Sequence, residues 1–331
     1  MTPGVATPYP VHPALPPYRT LVEETFTGDS TQPMTRNDWV APAAEPNVDG
    51  DVEPFVHTGD PYPWFWDRYS DADARSLWWS QPLVEDYLPT RRLWTPPLAN
   101  QREPRMYAKL NTANDESTID TAIGSEFGLV RWAPCNRPYE GIQIDGMAAV
   151  FTRFNDRRLL VTSDFRAGVP ITYAKGPWQA KISYEHTSTH VGDEYAESTG
   201  RRQTPHVRDE IVFGLSRHFT EELRLYGQVG YSFVTSDVVG EDRMRYDWGV
   251  EWATLRPTGR WGKPFGAFDM DLRSDQDFQP NITAQLGWMW RRRVAGRTAR
   301  IAAELYNGKS PYGQFFQDDE DWFGLSAFYD F

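Results

Sequence analysis

Two side chains in the segment "YEHTSTH" have the types that a serine hydrolase uses. His186 and Ser188 lie two residues apart in a run that alternates apolar and polar residues, so a strand there projects both from one face. A nucleophilic serine needs a base within hydrogen-bonding reach. Asp209, in the next run "HVRDEIVFGL", has the parity of the apolar residues of that run and could orient the His186 ring. The three residues are a candidate catalytic set; the alternative is a polar rim that hydrogen-bonds to lipid headgroups and loop backbone.

The long connection after this segment carries residue types that bind metal ions. His190, Asp193, Glu194 and His206 lie in or beside it, but their spacing matches no specific zinc pattern. Carboxylates suit Ca²⁺, and such ions bridge the phosphates of lipopolysaccharide. The acidic connections are therefore candidates for a weak Ca²⁺ site, and no other cofactor is expected. The alternative is a set of solvated acidic loops.

The elements that position these residues are predicted to be β-strands. In "WQAKISYEHTS", Trp178, Ala180 and Ile182 share one parity while Gln179 and Lys181 take the other, which is the period of a strand. Several runs exceed the ~5–6 residues of a globular strand and match the ~9–11 residues that cross a bilayer at a tilt. No run of about 18 apolar residues exists, so no spanning helix is expected. Twelve such runs lie near residues 103-110, 119-132, 140-151, 158-173, 177-188, 206-217, 221-234, 244-255, 264-273, 280-292, 298-307 and 321-331.

The connections between the runs differ at the two ends of the predicted sheet. Alternate connections are long and acidic, as in "HVGDEYAESTG" and "SDVVGEDR", whereas the others are shorter and include the basic turns "RPTGRWGK" and "RRVAGR". Long loops on one rim and short turns on the other are typical of an outer-membrane barrel. Mid-strand charges of both signs suit a narrow lumen where they pair; the competing interpretation is a large soluble β-sandwich. The charged residues of the polar parity are Glu126, Asp164, Arg166, Lys181, Glu185, Arg224, Arg245, Asp247, Glu251, Asp269, Asp271, Arg300 and Glu304.

Three stretches resemble known bacterial outer-membrane proteins. The ending "DWFGLSAFYDF", with Phe331 last and Tyr329 two residues before it, resembles the terminal strand that the barrel-assembly machinery recognises. The stretches "SYEHTSTHVGDEY" and "NGKSPYGQFF" resemble a family of outer-membrane proteins defined only as a domain of unknown function. That resemblance implies a membrane barrel and supplies no activity.

The His-x-Ser element of residues 186 to 188 resembles that of outer-membrane phospholipase A and of the lipid A deacylase barrels. The catalytic side chains of those enzymes also point outward at the level of the outer leaflet. The resemblance implies that Ser188 is the nucleophile, His186 the base and Asp209 the third member. It implies a serine-dependent acyl hydrolase acting on phospholipid or lipid A.

Composition separates the first hundred residues from the rest. Residues 1-102 hold 16 of the 26 prolines and 6 of the 14 tryptophans without a sustained period, which predicts an extended or irregular region. A short helix is predicted at residues 71–81, after the aromatic cluster of residues 62–66. The net charge of −12 argues against nucleic acid as a partner, and the single Cys135 allows no internal disulfide. The first residues contain no basic and apolar leader, so we expect a secretory signal to have been removed.

We therefore predict an all-β fold: a 12-stranded antiparallel transmembrane (outer-membrane) β-barrel of residues 103-331, preceded by a Pro/Trp-rich periplasmic extension of residues 1-102. The expected function is a scaffold or a narrow or plugged pore, with an extension that enters the lumen or binds another protein; the alternative is a lipid acyl hydrolase. The expected partners are outer-membrane lipid, lipopolysaccharide and, through the strand ending at Phe331, the barrel-assembly machinery. Tyr312, Phe315 and Phe316 either fold over the barrel mouth or contact a partner.

Overall fold

The computed structural model of the protein describes residues 82–113, 116–134, 139–236, 243–292 and 297–331. These residues form thirteen strands, one short α-helix and two 3-10 turns, Ser274–Gln276 and Gly313–Phe315. The strands and the helix are β1 Leu83–Tyr87, β2 Met106–Ala113, β3 Glu116–Pro134, β4 Gly141–Phe154, β5 Leu160–Lys175, β6 Trp178–Val191, α1 Asp193–Thr199, β7 Val207–His218, β8 Leu223–Thr235, β9 Met244–Trp252, β10 Lys263–Arg273, β11 Pro280–Arg291, β12 Thr298–Lys309 and β13 Asp319–Asp330.

Strands β2 to β13 close into one antiparallel barrel. Each strand pairs with the next along the chain, and β13 pairs with β2 from Phe323 opposite Thr112 to Tyr329 opposite Met106. The barrel therefore has twelve strands, as the alternating runs predicted, and their ends lie within three residues of the predicted ends.

The barrel wall is apolar outside and polar inside. Along β13 every second residue is exposed, so Phe323 and Leu325 lie outside while Ser326 faces the interior. Trp248 and Trp288, which the sequence placed on the apolar parity, are 45% and 43% exposed. Such a belt suits hydrocarbon, and a closed barrel leaves no unpaired strand edge there. The soluble sandwich, whose apolar parity would lie inside, is wrong.

The two ends of the barrel differ in their connections. At one end, which we call the turn end, β2 begins and β13 ends, and the connection from β5 to β6 is only residues 176–177. At the other end, the loop end, lie residues 192–206, which contain α1, and residues 310–318. The longest connection, residues 192–206, lies at the loop end as predicted, but residues 253–262 at the turn end are longer than residues 114–115 and 155–159 at the loop end, so the predicted difference between the rims holds only in part.

Two local features differ from the sequence prediction. Leu83–Tyr87 forms β1, which pairs with residues 130–134 of β3, in a region predicted to be extended or irregular. The pairing itself was not predicted, because β1 forms along a neighbouring strand, a tertiary contact that a five-residue sequence does not encode. The first connection of the barrel is residues 114–115, because β2 and β3 extend further toward each other than their alternation indicated.

Some sequence predictions lie outside the described residues. These are the helix at residues 71–81, the aromatic cluster at residues 62–66 and the environment of Cys135. Within the described ranges, no helix is both long and apolar enough to cross a membrane.

The chain leaves the wall between β1 and β2 and passes through the interior. Both strands pair with β3, with Tyr87 opposite Val130 and Tyr107 opposite Ala122. The intervening residues 88–105, which we call the lumen segment, contact inward-facing residues of many strands. Four apolar side chains of the segment are buried: Leu93, Trp94, Leu98 and Ala99.

Candidate functional sites in the lumen and on the outer wall

Trp94 anchors the lumen segment against β6 and β7. Its side chain is 1% exposed, and Lys181 Nζ lies 5.2 Å from the ring centroid. Gly214 makes room for the indole, since a Cβ there would lie 2.9 Å from Trp94 Cη2. The next residue, Thr95, donates its backbone N–H to Gln179 Oε1 at 3.1 Å. An aromatic ring and a backbone group thus fix the segment to one side of the wall.

The middle of the lumen segment hydrogen-bonds to other parts of the wall. Leu98 donates its backbone N–H to Glu251 Oε1 at 2.6 Å, and the Asn100 amide donates to the Asp247 carboxylate. Gln101 Nε2 donates to Glu304 Oε1 at 3.2 Å. These acceptors belong to β9 and β12, so the segment bridges strands that are not neighbours in the barrel.

Arg105 connects the lumen segment to itself and to the last strand. Its guanidinium donates to the carbonyl oxygens of Leu98, at 2.5 Å, and of Pro97. Arg105 Nε also lies 3.5 Å from Asp330 Oδ1, while Arg300 Nε holds Asp330 Oδ2 at 2.9 Å. Arg105 therefore holds residues 97 and 98 of the lumen segment close to residue 105. It also fixes the segment to β13, the strand that closes the barrel by pairing with β2.

Residues 310–318, which we call the cap, cover the lumen at the loop end. Tyr312, Phe315 and Phe316 are 3%, 8% and 4% exposed, so they fold into the barrel mouth, which was one of the two alternatives left open by the sequence. Gly313 donates its backbone N–H to Asp164 Oδ2 at 2.9 Å. Gln276 Nε2 donates to the Phe316 carbonyl oxygen at 2.7 Å.

His206 lies beneath the cap as a buried imidazole. It is 1% exposed, its ring centroid is 5.1 Å from that of Phe316, and neither ring nitrogen has a hydrogen-bond partner among the described residues. Burial, together with the positive charges of Arg273, Arg208 and Arg102, lowers the pKa of His206 to about 3. The imidazole is therefore neutral at physiological pH.

Asp275 is the charged counterpart of this region. Burial alone would raise its pKa, but Arg273 and Arg208 outweigh burial and lower it. Arg208 Nη1 lies 2.8 Å and Arg273 Nη2 lies 2.7 Å from Asp275 Oδ2. The carboxylate therefore stays ionised and holds both guanidinium groups below the cap.

Most of the charged residues predicted to face the lumen form ion pairs inside the barrel, whereas Asp164, Asp269 and Asp271 have no Lys or Arg nitrogen within 4.0 Å among the described residues. Lys109 Nζ lies 2.8 Å from Glu304 Oε1, and the Arg166 guanidinium contacts the Glu185 carboxylate. All thirteen predicted residues except Asp271 are buried. Arg245 Nη2 of β9 also lies 3.7 Å from Glu185 Oε2 of β6, so some of the predicted charges pair between strands that are not neighbours.

Two small cavities remain between the lumen segment and the cap. One is lined by Arg102, Arg166 and Tyr312, and the other by Arg102, Asp271 and Asn281, and each has a volume of about 20 Å³. Such a volume accommodates about one water molecule. At these two points the lumen has no room for an organic solute.

The predicted catalytic residues lie on the outer wall near the loop end. His186 and Asp209 are direct cross-strand partners, and His186 Nδ1 lies 2.6 Å from Asp209 Oδ1. Tyr184 Oη also donates to Asp209 Oδ1, at 3.0 Å. Ser188 has the same parity as His186, but within the described ranges the two side chains form no hydrogen bond with each other. The structure brings two of the three residues together, and the role of Ser188 stays a prediction.

The four candidate metal ligands, His190, Asp193, Glu194 and His206, do not form a cluster, and His206 lies beneath the cap against Phe316. The His190 ring packs against Phe165 with 5.8 Å between ring centroids, while Asp193 and Glu194 lie in the exposed first turn of α1. No group of three or more His, Cys, Asp or Glu residues in the described chain could hold a metal ion.

Sequence reasoning missed the residues that fix the lumen segment. Asn100, Gln101 and Arg105 belong to "LANQREPR", directly before the first barrel strand. A dense group of polar side chains with no strand or helix period, next to a predicted charged lumen, was the signal that could have found them.

A closed twelve-stranded barrel with an apolar outer belt and a charged interior is an outer-membrane β-barrel. The chain belongs to the family described as "Protein of unknown function (DUF1207)", whose model matches residues 75–331. No curated protein matches the chain.

Two solved structures are similar to the chain at low sequence identity. A KdgM porin has a TM-score of 0.42 and 8% identity, with 68% of this chain and 98% of that chain covered. A "KdgM porin in complex with disordered oligogalacturonate" has a TM-score of 0.41 and the same identity and coverage, 8%, 68% and 98%.

Proposed function

We propose that the protein is an outer-membrane pore closed by its own chain. The lumen segment blocks the passage through the barrel and the cap covers the loop end. The observation that carries this proposal is the set of hydrogen bonds from Leu98, Asn100 and Gln101 to inward-facing carboxylates of β9 and β12. In this proposal the turn end faces the periplasm, as the two-residue connection 176–177 favours, and residues 1-102 are a periplasmic extension whose last part enters the lumen.

The contacts of the lumen segment make the closed state the resting state. A hydrogen bond to a charged group contributes about 1.5–3 kcal/mol, and the segment makes several. The Arg105 guanidinium donates hydrogen bonds to the carbonyl oxygens of residues 97 and 98. Because these bonds lie within the segment, residues 97 to 105 would leave the lumen together. A periplasmic protein that binds residues 1-81 is the kind of partner that could withdraw it.

Conductance in planar lipid bilayers tests this function. The full chain and a variant without residues 1-81 should show little conductance, because both keep the lumen segment. A variant that lacks residues 1-102 and carries Tyr312→Ala, Phe315→Ala and Phe316→Ala in the cap should conduct, because both closures are then weakened or removed, and liposomes containing it should swell in small sugars. Retention of the fast-migrating folded band on unheated SDS gels verifies the barrel of each variant.

Two results would contradict the closed pore. One is substantial conductance by the full chain. The other is a folded variant without residues 1-102 and with the altered cap that conducts no better than the full chain, which would favour a scaffold. If this deletion fails to fold, the substitution Asn100→Ala with Arg105→Ala provides the same comparison in a chain of full length.

A second candidate function is lipid acyl hydrolysis on the outer wall. It is favoured by the 2.6 Å contact between His186 and Asp209, because an aspartate that orients a histidine is part of a hydrolase triad. Ser188 Oγ would add to the ester carbonyl carbon as His186 takes its proton, and the alcohol would leave with that proton. Water would then release the fatty acid from Ser188. The hydrogen bond between Ser188 and His186 would form in the complex with lipid.

Fatty-acid release from phospholipid or lipid A by the purified protein tests this second function. Ser188→Ala should abolish release, whereas Ser198→Ala in the exposed helix α1 should leave it unchanged. Absence of release by the unaltered protein, or equal release by Ser188→Ala, would rule the hydrolase out.

A further inference from the structure

Two turns at the turn end are linked through the end of β11. Residues 253–262 connect β9 to β10, and residues 292–297 connect β11 to β12. Thr258 donates its backbone N–H to the Arg291 carbonyl oxygen at 3.1 Å, and Arg291 donates its own to Thr258 Oγ1 at 3.0 Å. The first turn is thus fixed to the last residue of β11, directly before the second turn, and we call the described residues of the two turns the basic rim.

The basic rim carries positive charge that the chain does not neutralise. Among the described residues, none of the three exposed arginines, Arg260, Arg292 and Arg297, has a carboxylate oxygen within 4.0 Å. Nearby Arg256 is different, because its Nε lies 2.5 Å from Glu221 Oε2. In a chain whose net charge is −12, a local group of unpaired guanidinium groups indicates an anionic ligand.

Tryptophans lie beside these arginines on the outer surface. Trp261 is 75% exposed, and Arg260 Cζ lies 4.8 Å from its ring centroid. Trp288 Nε1 donates to the Trp261 carbonyl oxygen at 2.7 Å, which fixes the turn against the apolar belt. Exposed indole rings at the end of a membrane barrel lie at the level of the lipid headgroups.

We propose that the basic rim binds the headgroup phosphate of an anionic phospholipid in the leaflet at the turn end. Guanidinium groups bind phosphate through paired, charge-assisted hydrogen bonds. The lipid acyl chains would lie against Trp252 and Trp288, whose side chains are 46% and 43% exposed. The site requires only that the barrel spans a membrane, so it is independent of whether the pore is closed.

Lipid retention measured by native mass spectrometry tests this site. The full chain is released from vesicles that contain equal amounts of phosphatidylglycerol and phosphatidylcholine with the same acyl chains. We expect retention of phosphatidylglycerol over phosphatidylcholine by at least about fivefold, since each arginine near an anionic surface adds roughly this factor. Substitution of Arg260→Gln, Arg292→Gln and Arg297→Gln together should bring the ratio close to one.

A matched control separates this site from general charge. Arg157→Gln with Arg158→Gln, at exposed positions of the loop end, should keep the preference. Equal retention of the two lipids by the full chain, or an unchanged preference in the triple variant, would overturn the proposal. Loss of bound phosphatidylglycerol on addition of inorganic phosphate would also overturn it, because the rim would then bind free phosphate and not a lipid. Binding of an acidic soluble protein with no lipid preference would assign the rim to a protein partner.

Discussion

Arg102 and Arg105 lie three residues apart in the lumen segment and have different environments. Arg105 donates to two backbone carbonyl groups and lies beside Asp330. Arg102 has no carboxylate within 4.0 Å among the described residues, and its guanidinium makes one long hydrogen bond, 3.4 Å, to Thr187 Oγ1. Removing one partner of a buried charge pair destabilises a fold because the other partner is left unpaired, whereas a buried charge without a partner opposes folding by itself. The two arginines should therefore respond differently to substitution.

Replacement of each arginine should show whether its charge stabilises or destabilises the folded protein. Arg105→Ala leaves the Leu98 and Pro97 carbonyl groups without their donor, and we expect a loss of about 2–4 kcal/mol in the free energy of unfolding. Arg102→Gln should leave that free energy unchanged or slightly higher. The measurement is the temperature at which the folded band disappears on SDS gels. Equal losses in the two variants would contradict this account of the lumen segment.

His206 makes the cap region sensitive to acid. Its pKa is about 3 in the folded protein against an ordinary value of 6.5. As the pH falls below 6.5, the unfolded chain binds a proton that the folded protein excludes, so stability falls until the pH approaches 3. The loss is at most about 1.4 kcal/mol per pH unit for one such group.

Comparison with His206→Phe isolates this contribution. The phenyl ring keeps the packing against Phe316 but does not titrate, so the variant should lose less stability between about pH 7 and about pH 5 than the unaltered protein. Gel-shift temperatures at the two pH values provide the measurement. Asp275 and Arg208, which lie nearby, are present in both proteins, so their contributions to the pH dependence cancel in the comparison. An identical pH dependence would show that His206 is not held neutral.

At the scale of elements, the sequence predicted the features that follow from the two-residue period of a strand. Alternation gave the twelve strands and assigned Trp248 to the outside and Asp247 to the interior, because a strand has only two faces. The structure places β1, the lumen segment and the cap by single long-range contacts, such as Asn100 with Asp247. No period marks such contacts, so a single sequence does not reveal them. His186 and Asp209 were predictable because parity put both on the same face, whereas contact with Ser188 depends on side-chain geometry.

The outer face of β13 tests whether that belt meets hydrocarbon. Leu325 lies in the middle of β13 and is 57% exposed. Leu325→Arg should destabilise the folded barrel in lipid by about 2–4 kcal/mol, the cost of an arginine at the midplane of a bilayer. Ser198→Arg, in exposed helix α1, should change stability by less than about 0.5 kcal/mol. Urea titration of both variants in vesicles compares them, and a harmless Leu325→Arg would place β13 in water.

At the scale of the whole molecule, two parts of the chain close the barrel from different directions. The lumen segment is fixed to β9, β12 and β13, while the cap is fixed by Asp164 of β5 and by Gln276. Arg102 lines both small cavities between them, so the two parts come close to each other inside the lumen. The central claim therefore has two halves, a lipid-facing belt and a lumen closed to solutes.

Thiol labelling in proteoliposomes tests both halves in one measurement. Thr187→Cys reports the lumen and Leu325→Cys reports the belt, each in a Cys135→Ser background, with a charged methanethiosulfonate that does not cross membranes. In the full chain neither cysteine should react. Without residues 1-102, Thr187→Cys should react while Leu325→Cys stays unreactive. Rapid labelling of Thr187→Cys in the full chain would contradict a closed lumen, and rapid labelling of Leu325→Cys would contradict a belt in lipid.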